Sequence, residues 1–497
     1  MSPESAAPES AAPGAAGWET VIGLEVHCEL RTNTKLFCGC RNSFGEEPNT
    51  NICPVCLGLP GSLPVLNRAA VEYAIRIGAA LHSTVQASMF HRKNYFYPDM
   101  PKDYQISQYD VPINAGGWLE LPGGRRIGIV RAHLEEDTGK TTHLGGGGRI
   151  HEATRSLVDY NRAGVPLVEI VSAPDMTSAE EARAYVDELR AILVATGASD
   201  GKMEEGSLRV DANVSVRPAG SEVFGTRCEI KNMNSLRSLG RAVDYEVSRQ
   251  IALIESGGVV AQETRHWDEG GGRTSSMRSK EEAYDYRYFP EPDLVPVDPP
   301  AEWVAAIKAS LPAMPAERRA RIAEISGLPA GSEAVVTVVR LGLDDLVEAA
   351  GAPIGAVTPT SVPGLVDVAA VAVKRVANEV ASDLAGAANL DRGGFAKLVR
   401  MEASGQLTSA QARTVLKSML EAGGDPETIA SSLGFEAMDS GGLESVIDEV
   451  ITAHPEEWSR YSEGEDKLAG FFIGHIKQAT QGKADLKSAS ALLRSRR

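Results

Sequence analysis

The sequence predicts an α+β protein: an N-terminal domain on a mostly antiparallel sheet, followed by all-α helical and tail domains. Three observations carry this. Up to about residue 297, segments alternate strictly between apolar and polar side chains, the period of a strand with one wet face. The stretch FPEPDLVPVDPP, residues 289–300, reads as a boundary. Beyond it the chain is alanine-rich, broken by Gly and Pro, with few strand signals. The 497 residues are 43% hydrophobic and 24% charged, which suits a globular protein of two to four domains.

Taken in order, residues 1–17 repeat Pro-Glu-Ser-Ala-Ala, too apolar-poor to order themselves, and are expected to form a disordered tail. They lack the basic and apolar regions of a signal peptide, so a cytoplasmic protein with reduced cysteines is expected. A strand follows over Leu24–Leu30, with Glu25, His27 and Glu29 on its polar face. Ile127–Glu135 aligns Arg131, His133 and Glu135, and Val165–Val171 carries Glu169. Ser207–Arg217 sends Leu208, Val210, Ala212, Val214 and Val216 one way and Arg209, Asp211 and Asn213 the other. Arg227–Lys231 aligns Arg227, Glu229 and Lys231. Helices are expected over Ser178–Thr196, opened by a capping-box-like Ser178 and Glu181, and over Leu236–Ser256. A last amphipathic helix sets Leu468, Phe471, Phe472, Ile476 and Ala479 on one stripe. The expected domains are 18–297, 298–425 and 426–497.

Sixty-seven acids against fifty bases give a net charge of −17. This excludes general electrostatic attraction to nucleic acid or to an anionic membrane, and leaves only local basic patches. No run approaches the roughly 20 apolar residues of a membrane span. One basic patch exists: residues 444–466 hold eight acids and one base, whereas 467–497 hold seven bases and one acid. Lys477, Lys483 and Lys487 are candidate RNA contacts there; a solvated helical face gives the same pattern. Ten of the 27 aromatic residues fall in two windows, 90–109 and 284–289. Tyr95 and Tyr97, interleaved with Arg92 and Lys93, suit stacking on unpaired bases, and a packed domain core gives the same count.

Cys38, Cys40, Cys53 and Cys56 form C-x-C and C-x-x-C pairs joined by a loop. Two such pairs close a tetrahedral thiolate shell, so a structural Zn²⁺ is expected, with four buried thiols or two disulfides as the alternative. The Gly145–Gly148 and Gly270–Gly272 runs lack the Lys-Ser/Thr of a phosphate-binding loop and read as turns. The polar sheet face mixes acids, histidines and cations. Glu25, His27 and Glu169 with waters suit a hard cation such as Mg²⁺, and Arg209 and Lys231 on neighbouring strands suit phosphate oxygens. An ordinary solvated face is the alternative for any one strand.

Several strings together carry a resemblance: VIGLEVHCEL, RKNYFYPDMPKDYQISQYD, HLEEDTGK, VDYNRAGVPLVEIVSAPD, KMEEGSLRVDANVSVRP, EIKNMNS and DYRYFPEPDLVPV, in order from residue 21 to 297. By these the chain resembles the B subunits of aspartyl/glutamyl-tRNA(Asn/Gln) amidotransferases, and its tail is more loosely similar to theirs. The resemblance implies a cradle-shaped, kinase-like N-terminal domain that uses ATP and Mg²⁺ to phosphorylate Glu or Asp misacylated on tRNA. It implies a heterotrimer with an amidase (glutaminase) partner, which releases ammonia from glutamine, and a small third partner. It implies Glu25, His27, Glu136 and Glu169 as the metal and catalytic set, with Asp211 at the nucleotide. Glu136 then needs a bulge or strand end to reach that face. It also implies a tRNA-gripping tail. The rivals are a non-catalytic zinc-containing tRNA-binding scaffold and a stand-alone ATP-dependent ligase for a small amino acid.

Overall fold

The computed structural model describes residues 17–145, 153–279, 286–352, 365–435, 440–480 and 486–496. The tail expected over 1–17 therefore lies, apart from Gly17, outside the described residues. The chain forms two compact units, Met1–Pro315 and Ala316–Arg497.

The first unit is built on a sheet whose main path has ten strands. In chain order these are β1 (Trp18–Glu29), β2 (His91–Asn94), β3 (Tyr104–Ser107), β4 (Arg126–Glu136), β5 (Pro166–Ser172), β6 (Leu208–Pro218), β7 (Cys228–Met233), β8 (Glu263–Asp268), β9 (Arg273–Ser279) and β10 (Phe289–Pro290). Their spatial order is β9-β8-β7-β6-β1-β5-β4-β3-β2-β10. Every neighbouring pair is antiparallel except β7 and β8, as alternation with one wet face requires.

The apolar side chains of β1, Ile22, Leu24, Val26 and Cys28, are fully buried, as are Leu134, Val168, Ile170, Leu208, Val210 and Val214 on its neighbours. Each such side chain contributes about 1.5–3 kcal/mol relative to exposure. Three helices cover this face: α1 (Arg68–Ala80), α2 (Ala179–Ala195) and α3 (Leu236–Glu255). The Ser178 hydroxyl accepts the Glu181 N–H at 3.1 Å, and the Glu181 carboxylate accepts the Thr177 N–H at 2.8 Å. The cap is thus reciprocal but displaced by one residue. At Gly78 in α1 an added Cβ would sit 1.9 Å from the Asn114 amide oxygen, so only glycine lets Asn114 reach the Ala74 carbonyl at 2.9 Å.

The proline-rich stretch does not end this unit. Phe289–Pro290 pairs with β2, and Ser88 and Val297 exchange backbone hydrogen bonds of 2.8 Å. A fourth helix, α4 (Ala301–Ala309), then packs Ile307, Trp303 and Val304 onto the first core. The boundary expected near 297 therefore falls inside the first unit, because the stretch is tied into the sheet.

The second unit is helical among its described residues and holds two hydrophobic cores. One gathers apolar side chains from Ile322 to Ala430, the other from Leu443 to Leu493. Helix Pro426–Ser432 packs with the first of these through Ala430. The stripe expected in the last amphipathic segment forms the helix Leu468–Ala479, with Phe472 and Ile476 buried. No helix among the described residues is long and apolar enough to cross a membrane.

Candidate active site

The sheet register assembles the polar face. Across β6, β1, β5 and β4 one row reads Arg209, His27, Glu169, His133. The next places Asp211 opposite Glu25. Glu135 lies two residues beyond His133 on β4, and so on the same face. His27, Glu135 and Glu169 each present a ligand atom within 4.8 Å of the others. His27 Nδ1 is 3.8 Å from Glu135 Oε1, and its Nε2 is 3.8 Å from Asp211 Oδ2. His133 Nε2 stands 3.7 Å from both Glu135 and Glu169. Glu25 accepts a hydrogen bond from Asn213 at 2.9 Å. Lys231 donates to Asp211 at 2.6 Å and pairs with Glu229 at 2.8 Å.

The electrostatics are those of crowded acids. Burial, then the charges of Glu169 and Glu229, push the Glu25 carboxyl above the usual range. Burial opposes a charged His27 ring, but Asp211, Glu169 and Glu135 outweigh it and raise its pKa. Glu135 is pulled down to about 2, because His133, Lys93 and His27 overcome its burial. Lys231 and His27 likewise hold Asp211 well below the carboxylate range against its burial. One imidazole and two or three clustered carboxylates fit a hard divalent cation that keeps several waters.

A cavity of about 960 Å³ adjoins the cluster on the β6 side, lined by Arg162, Arg209, Asp211, Lys140, Asn161 and Asn232. Arg209 donates to Asp137 at 2.6 Å, and Arg162 to the carbonyls of Thr138 and Gly139 at 3.0 and 2.9 Å. The acids Glu29, Asp159, Asp200, Glu204 and Glu205 also line it, so cations and amides share this space with carboxylates.

Glu136 does not join this cluster. It pairs with Pro166 in regular register with no bulge, one residue past Glu135, so alternation turns it to the opposite face. There it binds Lys102 Nζ and the Ile106 N–H, the latter at 2.9 Å. Glu136 therefore lies apart from the cluster in which it was expected, and Glu135 stands beside His27 and Glu169 instead. The alternating triplet Arg131, His133 and Glu135 already held this signal.

Glu136 instead faces the cysteine knuckle. Cys38, Cys40, Cys53 and Cys56 are unbridged, with all four sulfurs within 4.8 Å of one another. The Cys53 N–H points to Cys56 Sγ at 3.0 Å. A hydrogen bond with Cys38, that N–H and the Lys35 ammonium draw Cys56 down to about 5 despite its burial. A thiolate already favoured among four convergent sulfurs is the donor set a tetrahedral metal needs.

The remaining candidates are dispersed. Tyr95 and Tyr97 stack on each other with centroids 5.6 Å apart. Lys477 is exposed on helix Leu468–Ala479 and Lys487 lies in helix Leu486–Ser495, while Lys483 is outside the described residues. Gly270–Gly272 forms the turn between β8 and β9; the other glycine run lies, beyond Gly145, outside the described residues.

Residues 20–305 match the family described as the GatB/GatE catalytic domain, and residues 361–496 match the GatB domain. The chain is 48% identical over 484 residues to a protein of Carboxydothermus hydrogenoformans, covering 96% of this chain and 98% of that one. It is 49% identical over 498 residues to one of Frankia casuarinae, covering 97% and 96%. It is 46% identical over 475 residues to one of Brevibacillus brevis, covering 94% and 96%. Each of the three is named as the B subunit of an aspartyl/glutamyl-tRNA(Asn/Gln) amidotransferase.

Proposed function

The chain belongs to the family of aspartyl/glutamyl-tRNA(Asn/Gln) amidotransferase B subunits, and from that premise we propose that its polar sheet face activates Glu or Asp misacylated on tRNA. The observation that carries this reading is the convergence of His27, Glu135 and Glu169 within 4.8 Å, beside a large polar cavity that Arg162 and Arg209 help to line.

A carboxylate is a poor electrophile, so it must acquire a leaving group before an amine displaces it. An oxygen of the substrate side chain attacks the γ-phosphorus of ATP, the bond to the β-phosphate oxygen breaks, and ADP leaves. Ammonia then adds to the acyl phosphate, phosphate departs, and the nitrogen sheds a proton to give the amide. No protein nucleophile is required; positioning and charge compensation carry the step. His27, Glu135, Glu169 and the adjoining Glu25 would hold Mg²⁺, which when bound neutralises phosphoryl oxygens during transfer. Arg209 and Lys231, with Arg162, hold nucleotide oxygens, and Asp211 keeps His27 and Lys231 oriented.

Ammonia comes from a partner amidase, and a small third protein completes a heterotrimer in the cytoplasm. The cysteine knuckle takes a structural Zn²⁺, and the basic end of the second unit grips tRNA. The test is ADP release by the complex with ATP, Mg²⁺ and either misacylated or correctly charged tRNA. Misacylated tRNA should stimulate release, and correctly charged tRNA should not. Equal release with both would sink the reading.

A further inference from the structure

Arg131 stands on β4 at the edge of the cluster, three strands away from β6 and its cavity. Its guanidinium lies over the Tyr109 ring at 4.6 Å, and Tyr109 stacks on Tyr288 at 5.1 Å. Nη2 is 3.7 Å from Glu169 Oε1, too long for a hydrogen bond, and Nε is enclosed without a partner.

The other guanidinium and ammonium groups nearby have partners within the protein, and Arg209, Arg162 and Lys231 are those given to nucleotide oxygens above. Arg209 binds Asp137, Arg162 binds backbone carbonyls, and Lys231 binds Asp211 and Glu229. Lys93 lies over the Tyr286 ring at 4.9 Å and offers a point charge without a fork. Arg131 is the guanidinium beside the cluster whose fork is not hydrogen-bonded to a carboxylate or a carbonyl among the described residues.

The acceptor in the reaction proposed above is itself a carboxylate. It must approach Glu25, Glu135, Glu169 and Asp211, and the ionised carboxylates among them repel it. A rigid planar fork beside those acids offsets the repulsion and fixes two oxygens at once. The Arg131 side chain is 22% exposed, so with Nε enclosed its Nη end is the part open to a ligand.

We propose that Arg131, braced on Tyr109, receives the side-chain carboxylate of the misacylated residue and orients one oxygen toward the nucleotide. This rests on the phosphorylation reading and adds a basis for discrimination. The amide product carries no charge, so the same fork holds it weakly and favours its release. Tyr109 is 42% exposed, which leaves room for the aminoacyl end to cover it.

The test uses the full heterotrimer with Arg131→Gln and Arg131→Lys. Equilibrium binding of Glu-tRNA(Gln) and of its amidated product Gln-tRNA(Gln) is measured without ATP, and KM values are measured with it. Wild type should prefer the misacylated form. Arg131→Gln should lose that preference and raise its KM roughly 30-fold or more, the scale of one charge-assisted pair. The KM for ATP should stay within about twofold, and Arg131→Lys should recover part of the preference. An unchanged preference in Arg131→Gln, or an equal rise in both KM values, overturns the inference. Wild-type complex that prefers misacylated tRNA yet releases no ADP would instead defeat the phosphorylation reading while leaving carboxylate recognition standing.

Discussion

Glu135 and Glu136 are adjacent in the chain and sit in opposite chemistries. Glu135 shares its face with His27 and Glu169; Glu136 forms a buried ion pair with Lys102, their side chains 3% and 6% exposed. Removing one partner of a buried pair strands the other charge. Glu136→Gln should therefore destabilise the protein by about 3–5 kcal/mol, seen as a lower midpoint in urea. A variant as stable as wild type would show that the pair is not structural. The sequence already carried the alternation that separates these two residues. What it could not show was Tyr109 beside Tyr288, because stacking between residues so far apart leaves no local pattern. The partnerless Nε of Arg131 was hidden for the same reason: its neighbours are set by register across four strands.

Buried charge also ties α3 to the sheet. Glu246 accepts hydrogen bonds from Arg249 at 2.6 Å, Gln250 at 2.9 Å and Thr274 of β9 at 2.9 Å. Burial works to raise its pKa, but Arg249 and the other donors win and lower it. A carboxyl with a depressed folded-state pKa adds stability that is fully present above its unfolded value of about 4.3. That stability is lost as pH falls through the folded value. Glu246→Gln should cost about 2–4 kcal/mol at pH 7, and the difference from wild type should vanish in acid. A difference independent of pH would assign the effect to packing. The knuckle makes a second element-scale prediction. Freshly reduced protein should hold about one zinc per chain, and Cys53→Ser should lower metal content and thermal stability together. Metal-free protein of full stability would remove the site. Strands and capped helices were legible here because periodicity and caps are local. The extent of the first unit was not, since α4 joins it only through packing of Ile307 and Trp303.

For a chain of net charge −17 to grip a polyanion, its bases must be concentrated. The second unit does this after residue 466, where seven bases meet one acid. Removing residues 436–497 spares the core that runs from Ile322 to Ala430 and its packed neighbour Phe435. This truncation should weaken tRNA binding by the complex and flatten its salt dependence. An unchanged salt slope would reduce the segment to a solvated helical face. Composition revealed that asymmetry directly, whereas the face proposed to be catalytic needed both strand alternation and a resemblance spread over 277 residues, from 21 to 297. The central claim is that the face bearing His27, Glu135 and Glu169 performs phosphoryl transfer, and single-turnover ADP release by the heterotrimer carrying Glu135→Gln tests it most directly. Glu135→Gln is nearly isosteric, so packing is preserved while one anionic ligand is removed. With misacylated tRNA and Mg²⁺ at wild-type saturation, release should fall on the order of 100-fold or more, with tRNA affinity nearly unchanged. A rate close to wild type would contradict the account and leave the polar face as a solvated surface.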